Sequence, residues 1–297
     1  MAWIFIPACC FANPWQAGAV PAGKLVTAVA AGGAHTCVLG AADGTPTCFG
    51  SDAHGQASVP TEAHWDAVHR LGDREAGARV DRAGYQALNT RPVRLSDVCA
   101  GGYHSCGVSA NVATKGRLLC WGADFAGQAA PPADGEPGGF DARDPFVGVS
   151  CGPMYTCALR ASGAPVCFGD GGMGQTTPPA GARFASLAAG ATFACGLRGD
   201  GAHGPVHGLH GLGHGGGYRV ACWGEDGHGQ VSGAPPAERF ASVAAGGDVA
   251  CGVTSKGQLV CWGNLARVER RGRPGGALAG RFDKVKHRPG PDKVLNR

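Results

Sequence analysis

Several features that would place this chain in a common class are absent from its sequence. No apolar run reaches the roughly 18 residues that a membrane-spanning helix requires. The 14 cysteines include no C-x-x-C pair, so a structural zinc site is not indicated. No kinase, ligase or GTPase motif occurs in the 297 residues. These absences argue against a helical membrane protein, a zinc-ribbon module and the common nucleotide-using enzymes.

What the sequence contains is a repeat. The stretch from Val243 to Gly263 predicts two short strands around a tight turn, in which Gly257 supplies the positive φ. Similar text begins at Val29, Val98, Val149 and Leu187. Four of the five copies continue into a Gly-Gln pair at one fixed offset, which places Gln56, Gln128, Gln175 and Gln230. Self-similarity of this kind determines the architecture before any single motif does.

The repeat predicts an all-β fold. A unit of 37–40 residues is too small to bury its own faces and must stack on its neighbours. We expect a β-propeller with five complete copies and a partial N-terminal one, in a ring that is not necessarily complete. A linear solenoid is the alternative, but each unit is typical of a hairpin meander and not of a single rung.

The repeat region is predicted to span residues 24–263, with inserts at 61–93, 133–145 and 198–218. Residues 1–23 resemble a signal peptide in their apolar start, but Gln16 aligns with Gln230, which favours the tail of a preceding repeat. In the first insert, Trp65, Val68 and Leu71 favour a short helix, with a degenerate blade as the alternative. Residues 264–297 carry a net charge of +7, from 10 basic and 3 acidic residues, and are predicted to be disordered.

Ten cysteines form five like pairs, one cysteine on each arm of a predicted hairpin. Directly opposed residues in an antiparallel pair lie close enough for a disulfide, and disulfides persist in oxidising compartments. Buried free thiols in a cytosolic protein are the alternative. We interpret Cys99 and Cys151, which replace alanines of other copies, as small buried residues. The predicted pairs are Cys37–Cys48, Cys106–Cys120, Cys157–Cys167, Cys195–Cys222 and Cys251–Cys261.

The pattern A-G-G-x-H-x-C, C-W-G and G-Q resembles the regulator of chromosome condensation repeat, in the compact, cysteine-paired form also known from β-lactamase-inhibitory protein II and crinkly-type receptor ectodomains. The resemblance covers about residues 16–263. It implies a propeller that binds a protein partner through loops on one face. The founding member of the family also implies an alternative, guanine-nucleotide exchange on a small GTPase.

Residues just after the A-G-G turn differ between copies and recur at one repeat position. In a propeller such positions fall on one ring, where they form either a partner-binding surface or the packing between blades. The candidates are His35, Tyr103, His104, Met154, Tyr155, Phe193 and Asp248.

Three other patterns suggest chemistry but have simpler explanations. Gly169–Gly174 matches G-x-G-x-x-G without a following helix, and Ser150 lies in a G-x-S-x-G string inside a predicted strand. The insert with His203, His207, His210 and His214 could gather a metal ion, but its many glycines favour a surface loop. We therefore predict neither a catalytic residue nor a metal or other cofactor.

The sequence thus predicts a non-catalytic protein-interaction module of the extracellular space or secretory lumen, whose partner it does not identify. The alternatives are an exchange factor of the cytoplasm or nucleus, or the ligand-binding fragment of a larger receptor. Nucleic acid or another polyanion could be bound only through the basic tail.

Overall fold

The structure, a computed structural model, describes residues 25–61, 93–198 and 217–265. The predicted segment 1–23, the tail beyond Leu265, and nearly all of the inserts at 61–93 and 198–218 lie outside the described residues. The expectations for Gln16, for Trp65 and for the four histidines of the third insert therefore concern residues that are not described.

Fifteen strands form five three-stranded antiparallel sheets, and this confirms the all-β prediction. Each unit has one strand more than the hairpin that the cysteines identify, because the A-G-G text ends an additional inner strand. The only other regular element among the described residues is a short 3-10 turn at Val112–Thr114. The blades, numbered one to five, are β1–β3 (Val26–Ala31, His35–Gly40, Pro46–Gly50), β4–β6 (Leu95–Ala100, His104–Ser109, Leu118–Gly122), β7–β9 (Phe146–Cys151, Tyr155–Arg160, Pro165–Gly169), β10–β12 (Phe184–Ala189, Phe193–Arg198, Arg219–Gly224) and β13–β15 (Phe240–Gly246, Val249–Thr254, Leu259–Gly263).

Each of the five hairpin cysteine pairs occupies directly opposed positions of the second and third strands of its blade. Cys37 faces Cys48 in the β2–β3 register, and Cys251 faces Cys261 in the β14–β15 register. The Cα atoms of the five pairs are 4.0–4.1 Å apart and each pair is joined by a disulfide. The disulfides therefore close each hairpin within its own blade.

Successive blades stack through their inner strands. β1 contacts β4, β4 contacts β7, β7 contacts β10 and β10 contacts β13. Main-chain hydrogen bonds join the turns of neighbouring blades, from Gly33 N to Gly101 O (2.9 Å) and from Ala191 N to Gly247 O (2.8 Å). This is the radial arrangement of a propeller, with the inner-strand turns of all five blades in one row.

The Gly-Gln pair connects each blade to the next. The buried side chain of Gln56 accepts a hydrogen bond from His54 N at 2.8 Å, and its main-chain carbonyl points into blade two. There it accepts bonds from Trp121 Nε1 and Ser105 Oγ, both at 3.0 Å. The glutamine side chain thus accepts a hydrogen bond from its own loop, and its main-chain carbonyl accepts hydrogen bonds from the next blade.

The donor to this carbonyl changes with the outer-strand aromatic residue. In blades four and five Trp223 and Trp262 donate through the indole N–H, at 2.9 and 3.1 Å. Blade three has Phe168 at this position and no indole N–H, and there Thr156 Oγ1 donates to Gln128 O at 2.8 Å. The buried glutamine carbonyl therefore has a hydrogen-bond donor at each described junction. Loss of that donor would leave a buried carbonyl unpaired, which is costly in free energy.

Blade one repeats the threonine–phenylalanine combination of blade three, with Thr36 and Phe49. The buried Thr36 Oγ1 has no hydrogen-bond partner among the described residues. Gln16, which precedes blade one at the corresponding place in the repeat, lies outside them.

Cys99 is buried, as the sequence predicted, but the interpretation that Cys99 and Cys151 lie outside the cysteine pairing is wrong. They form a disulfide between β4 and β7, with Cα atoms 5.4 Å apart, and so join blades two and three covalently. The two cysteines occupy adjacent but different repeat positions, and the stacking of inner strands brings them together. This bond closes a segment of 52 residues, against 10–27 within the blades.

The insert at 133–145 is folded against blades two and three. Arg117 forms an ion pair with Asp134 (2.5 Å) and its guanidinium lies 4.2 Å from the centre of the Phe140 ring. Arg160 donates hydrogen bonds to the carbonyls of Gly139 and Asp144. Two arginines of successive blades thus hold this insert at the end of the blades away from the inner-strand turns.

Blade five has no described blade against its trailing side. Val253 is 38% exposed, whereas the equivalent Leu39 and Val108 are 1% exposed, and Leu259 beside it is 56% exposed. The structure therefore establishes five stacked blades and leaves this apolar side open among the described residues. No helix in the described part of the chain is both long and apolar enough to cross a membrane.

Candidate functional site

One end of the five blades brings two sets of loops together. The residue that follows each outer strand donates its amide to the turn between the inner strands, as Ser51 N does to Ala34 O (2.8 Å) and Ala123 N to Tyr103 O (2.8 Å). We call this end the turn face. It comprises the inner-strand turns 32–34, 101–103, 152–154, 190–192 and 247–248 and the glutamine loops 51–58, 123–130, 170–177 and 225–232.

Charge is divided between the two ends of the blades. The turn face contains no lysine or arginine among the described residues, and its acidic side chains are Asp52, Asp124, Asp170, Glu225, Asp226 and Asp248. The ten described lysines and arginines lie toward the opposite end, which we call the hairpin face: Arg94, Lys115, Arg117, Arg143, Arg160, Arg183, Arg198, Arg219, Arg239 and Lys256.

In three of the four glutamine loops an aspartate four residues before the glutamine closes the loop, whereas the loop of blade three has Gly171 at this position. Asp52 accepts hydrogen bonds from Ala57 N (2.8 Å) and Ser58 Oγ (2.6 Å). Asp226 accepts from Val231 N and Ser232 N, both at 2.9 Å, and although its slight burial acts in the opposite direction, these bonds lower its pKa. Burial raises the pKa of Asp124, and this effect outweighs the hydrogen bond from Ala129 N, which lowers it. The carboxylates are thus held in place on the turn face by their own loops.

Exposed aromatic side chains from two blades meet on this face. Tyr103 is 46% exposed and Phe125 is 69% exposed. The His54 ring lies between them, in edge-to-face contact with Tyr103 (centroids 5.2 Å apart) and with Phe125 (5.3 Å). We call these three residues the aromatic cluster. Large apolar side chains left in water on a rigid scaffold are typical of interaction surfaces.

Four of the predicted binding residues are inside the propeller. His35, His104, Tyr155 and Phe193 begin the second strand of their blades, and each is 0% exposed. Their prediction as partner-contacting residues is therefore wrong, because the strand turns their side chains toward the next blade. They form the packing between blades that the sequence also allowed.

The other three predicted residues lie on the turn face. Tyr103 belongs to the aromatic cluster, while Met154 and Asp248 are partly buried. The Met154 sulfur accepts a hydrogen bond from Gln128 Nε2 at 3.8 Å. Their role in binding stays a prediction.

The buried side chains at the start of the second strands contact the following blade through different hydrogen bonds. His35 Nε2 lies 2.7 Å from Ser105 Oγ, and His104 Nε2 lies 2.9 Å from Thr156 Oγ1. Because each hydroxyl donates its single proton to a glutamine carbonyl, both Nε2 atoms must be the donors. In the next blade Tyr155 donates its hydroxyl to the carbonyls of Gly190 and Phe193.

Burial keeps both histidines neutral. It lowers the pKa of His35 to about 4, although Asp52 raises it, and lowers the pKa of His104 to about 4 with a further contribution from His35. With Nε2 as the donor, Nδ1 is the unprotonated nitrogen, and it has no hydrogen-bond partner among the described residues. A second proton would therefore be buried without an acceptor.

The sequence patterns that suggested chemistry belong to the repeat. Gly169–Gly174 runs from the end of β9 into a turn, and no helix follows it. Ser150 lies in β7, where its hydroxyl accepts a hydrogen bond from Ala189 N at 2.9 Å. One group in the described part of the chain has metal-ligand composition, His104, Cys106 and Cys151, but both sulfurs are in disulfides and no thiolate is available.

Sequence reasoning missed His54, Phe125 and Met173. They lie in the loops S-D-A-H-G-Q, A-D-F-A-G-Q and D-G-G-M-G-Q, just before each glutamine. The signal was present, because these loops keep the Gly-Gln pair while the residues just before it change from copy to copy. Such a position is free to vary for binding.

No protein-family model matches the chain. Among solved structures, it is similar to the crinkly ectodomain of the Arabidopsis thaliana receptor kinase ACR4, at 24% identity and a TM-score of 0.54 over 82% of this chain and 70% of that one. The entire ectodomain of the Physcomitrella patens receptor kinase CR4 matches at 25% identity and 0.53, over 84% of this chain and 55% of that one. Prp20p of Saccharomyces cerevisiae, studied for its binding to Gsp1p and histones, matches at 17% identity and a TM-score of 0.53, over 80% of this chain and 57% of that one.

These similarities confirm the propeller fold and the resemblance to regulator of chromosome condensation repeats. The chain spans little more than half of the moss ectodomain and of Prp20p, and 70% of the Arabidopsis ectodomain.

The glycine beneath each buried ring provides a first test. A Cβ on Gly101 would lie 2.2 Å from His104 Cε1 and 2.6 Å from the Gly152 carbonyl oxygen. In blade five the equivalent Gly246 precedes Val249, which has no ring, and a Cβ there meets nothing within 4 Å. We expect Gly101→Ala to lower the denaturant midpoint strongly and Gly246→Ala to leave it nearly unchanged. Equal effects would show that the ring does not rest on this glycine.

The buried histidines provide a second test, in the pH dependence of stability. Their pKa of about 4 lies below the unfolded value of 6.5, so the unfolded chain binds more protons at acid pH. The contribution of each neutral histidine to the free energy of unfolding is complete above pH 6.5 and is lost as the pH falls toward 4. By pH 5 the loss is roughly 2 kcal/mol for each histidine.

The matched variant replaces both histidines by phenylalanine, the residue that blade four has at this repeat position, Phe193. In a His35→Phe/His104→Phe protein, guanidinium denaturation with intact disulfides should show a smaller loss of unfolding free energy between pH 7 and pH 5 than the parent protein. The same loss in both proteins would contradict the burial of neutral imidazoles.

Proposed function

We propose that this chain is a non-catalytic protein-interaction module that binds a protein partner through its turn face. The observation that carries the proposal is the aromatic cluster, in which Tyr103 and Phe125 are 46% and 69% exposed on either side of His54. Tyrosine and other aromatic residues supply a large share of binding energy at protein interfaces when they pack into a partner.

The scaffold beneath the cluster supports this role. Gln56 fixes the loop that carries His54, and the first residue after β6, Ala123, is bonded to the carbonyl of Tyr103. The disulfides Cys37–Cys48 and Cys106–Cys120 close the two hairpins below. A surface held in this way loses little conformational entropy on binding, which favours affinity. Met173, 57% exposed in the corresponding loop of blade three, is a further exposed apolar side chain of the turn face.

The disulfides favour an extracellular or secretory location. Six disulfides occur among the described residues, and persistent disulfides are rare in reducing compartments. Receptor ectodomains are among the similar structures. A role as the ligand-binding part of a larger receptor is consistent with both observations.

Nucleotide exchange is the weaker alternative. The similarity to Prp20p, at 17% identity, concerns the fold alone. A small GTPase resides in the cytosol or nucleus, where six disulfides would not be expected. A polyanion-binding role of the tail beyond Leu265 involves residues outside the described part of the chain.

Site-specific photocrosslinking tests the binding face. A photoreactive phenylalanine analogue is placed at Tyr103 or at Phe125 in the disulfide-bonded protein, which is then exposed to extracellular fluid from its source. The matched control is Val112, which is 99% exposed but lies in the β5–β6 turn on the hairpin face.

We expect one protein to crosslink at both turn-face positions and not at Val112. Crosslinking that occurs only at Val112, or equally at all three positions, would contradict binding through the turn face.

A further inference from the structure

We infer that the partner presents a cationic segment to the turn face, with a lysine or arginine side chain stacked on the aromatic cluster. The inference rests on the proposed function and specifies the chemistry of its partner. It follows from two independent properties of the face, its one-sided charge and its exposed rings.

The first property is the separation of charge. The turn face has six acidic side chains and no cation among the described residues, whereas the ten described lysines and arginines lie toward the hairpin face. Carboxylates of one sign over a face create a potential that attracts cations and repels anions. Charge complementarity at an interface steers association and rejects partners of the wrong sign. A basic segment would be oriented onto the turn face and away from the hairpin face.

The carboxylates cannot readily turn away from this face. Asp52 is held by Ala57 N and Ser58 Oγ, Asp170 by Gly172 N at 2.9 Å, and Glu225 accepts a hydrogen bond from Thr192 Oγ1. The negative charges therefore stand at defined positions on the turn face before a partner arrives. Preorganised charges need no rearrangement on binding, which strengthens their effect on a ligand.

The second property is the orientation of the rings. Edge-to-face packing on His54, with interplanar angles of 72° for Tyr103 and 89° for Phe125, joins rings of two blades into one cluster. Both outer rings are exposed in part to solvent. A guanidinium or ammonium group within about 6 Å of such a ring face is attracted by its quadrupole.

The protein itself makes this contact at its other end. The Arg117 guanidinium carbon lies 4.2 Å from the centre of the Phe140 ring, and that of Arg160 lies 4.6 Å from the centre of Phe146. On the hairpin face the arginine and the phenylalanine both come from the chain. On the turn face the described residues supply exposed rings and carboxylates but no lysine or arginine, and we expect the partner to supply the cation.

Fluorescence anisotropy with defined peptides tests the inference. Three labelled octapeptides are compared with the disulfide-bonded protein: alternating Gly and Arg, alternating Gly and Glu, and alternating Gly and Ser. We expect the arginine peptide alone to bind, with a Kd that rises steeply between 20 and 200 mM salt.

Charge variants then locate the binding. Asp52→Asn, Asp170→Asn and Glu225→Gln together keep a hydrogen-bond acceptor at each position, and we expect them to weaken arginine-peptide binding at least tenfold. The matched control, Glu136→Gln with Asp141→Asn, removes exposed carboxylates from the hairpin face and should leave the Kd unchanged. Equal weakening by both sets, or by neither, would overturn the inference.

Ring variants separate stacking from charge alone. Tyr103→Leu with Phe125→Leu keeps apolar side chains but removes the π faces, and we expect severalfold weaker binding of the arginine peptide. Met173→Leu is the control and should have no effect. Unchanged binding to the double leucine variant would show that no cation stacks on the cluster.

The outcomes also distinguish this inference from the proposed function. If a natural partner crosslinks at Tyr103 and Phe125 but its binding is insensitive to salt and to the charge variants, the inference of a cationic segment is wrong. The proposal that the partner binds through the turn face is then still supported. If crosslinking maps to Val112, the proposed function is wrong regardless of the peptides.

Discussion

The structure depends on one contact that recurs at each described junction, a glutamine carbonyl buried between two blades. A three-stranded sheet of this size cannot shield its own faces, so its stability comes from the neighbour on either side. The carbonyls of Gln56, Gln128, Gln175 and Gln230 each accept a hydrogen bond from the following blade. Where the outer strand has phenylalanine in place of tryptophan, a threonine hydroxyl takes over the donation, because an unpaired buried carbonyl would be costly.

The same contact accounts for the separation of structural and binding residues. The carbonyl and the inward side chains of the second strands form the junctions, which tolerate histidine, tyrosine or phenylalanine as long as the ring rests on a glycine. Each loop that leads into a glutamine is fixed at its end by the glutamine side chain and near its start by an aspartate, which stands four residues before the glutamine in three loops and five before it, as Asp170, in blade three. Between these points His54, Phe125 and Met173 are free to vary. A rigid frame with variable loop residues is the arrangement that many binding scaffolds share.

Periodicity made the blades and the five hairpin disulfides predictable, because a repeat aligns equivalent residues and an antiparallel register places Cys37 opposite Cys48. It could not reveal the Cys99–Cys151 bond, since these residues occupy different repeat positions and meet only when two blades stack. For the same reason the ring position of His35, His104, Tyr155 and Phe193 was predictable, but their direction was not. Alternation along the strand turns them toward the next blade, while Tyr103, one residue earlier, remains at the surface.

The most direct test of blade stacking is peptide mapping by mass spectrometry of the unreduced, alkylated native protein. The structure predicts the five links within hairpins and, in addition, Cys99 joined to Cys151. That sixth link can form only if blades two and three lie side by side with their inner strands in contact. Recovery of Cys99 and Cys151 as free thiols, or bonded to other cysteines while the hairpin links are intact, would contradict the stacking on which the turn face depends.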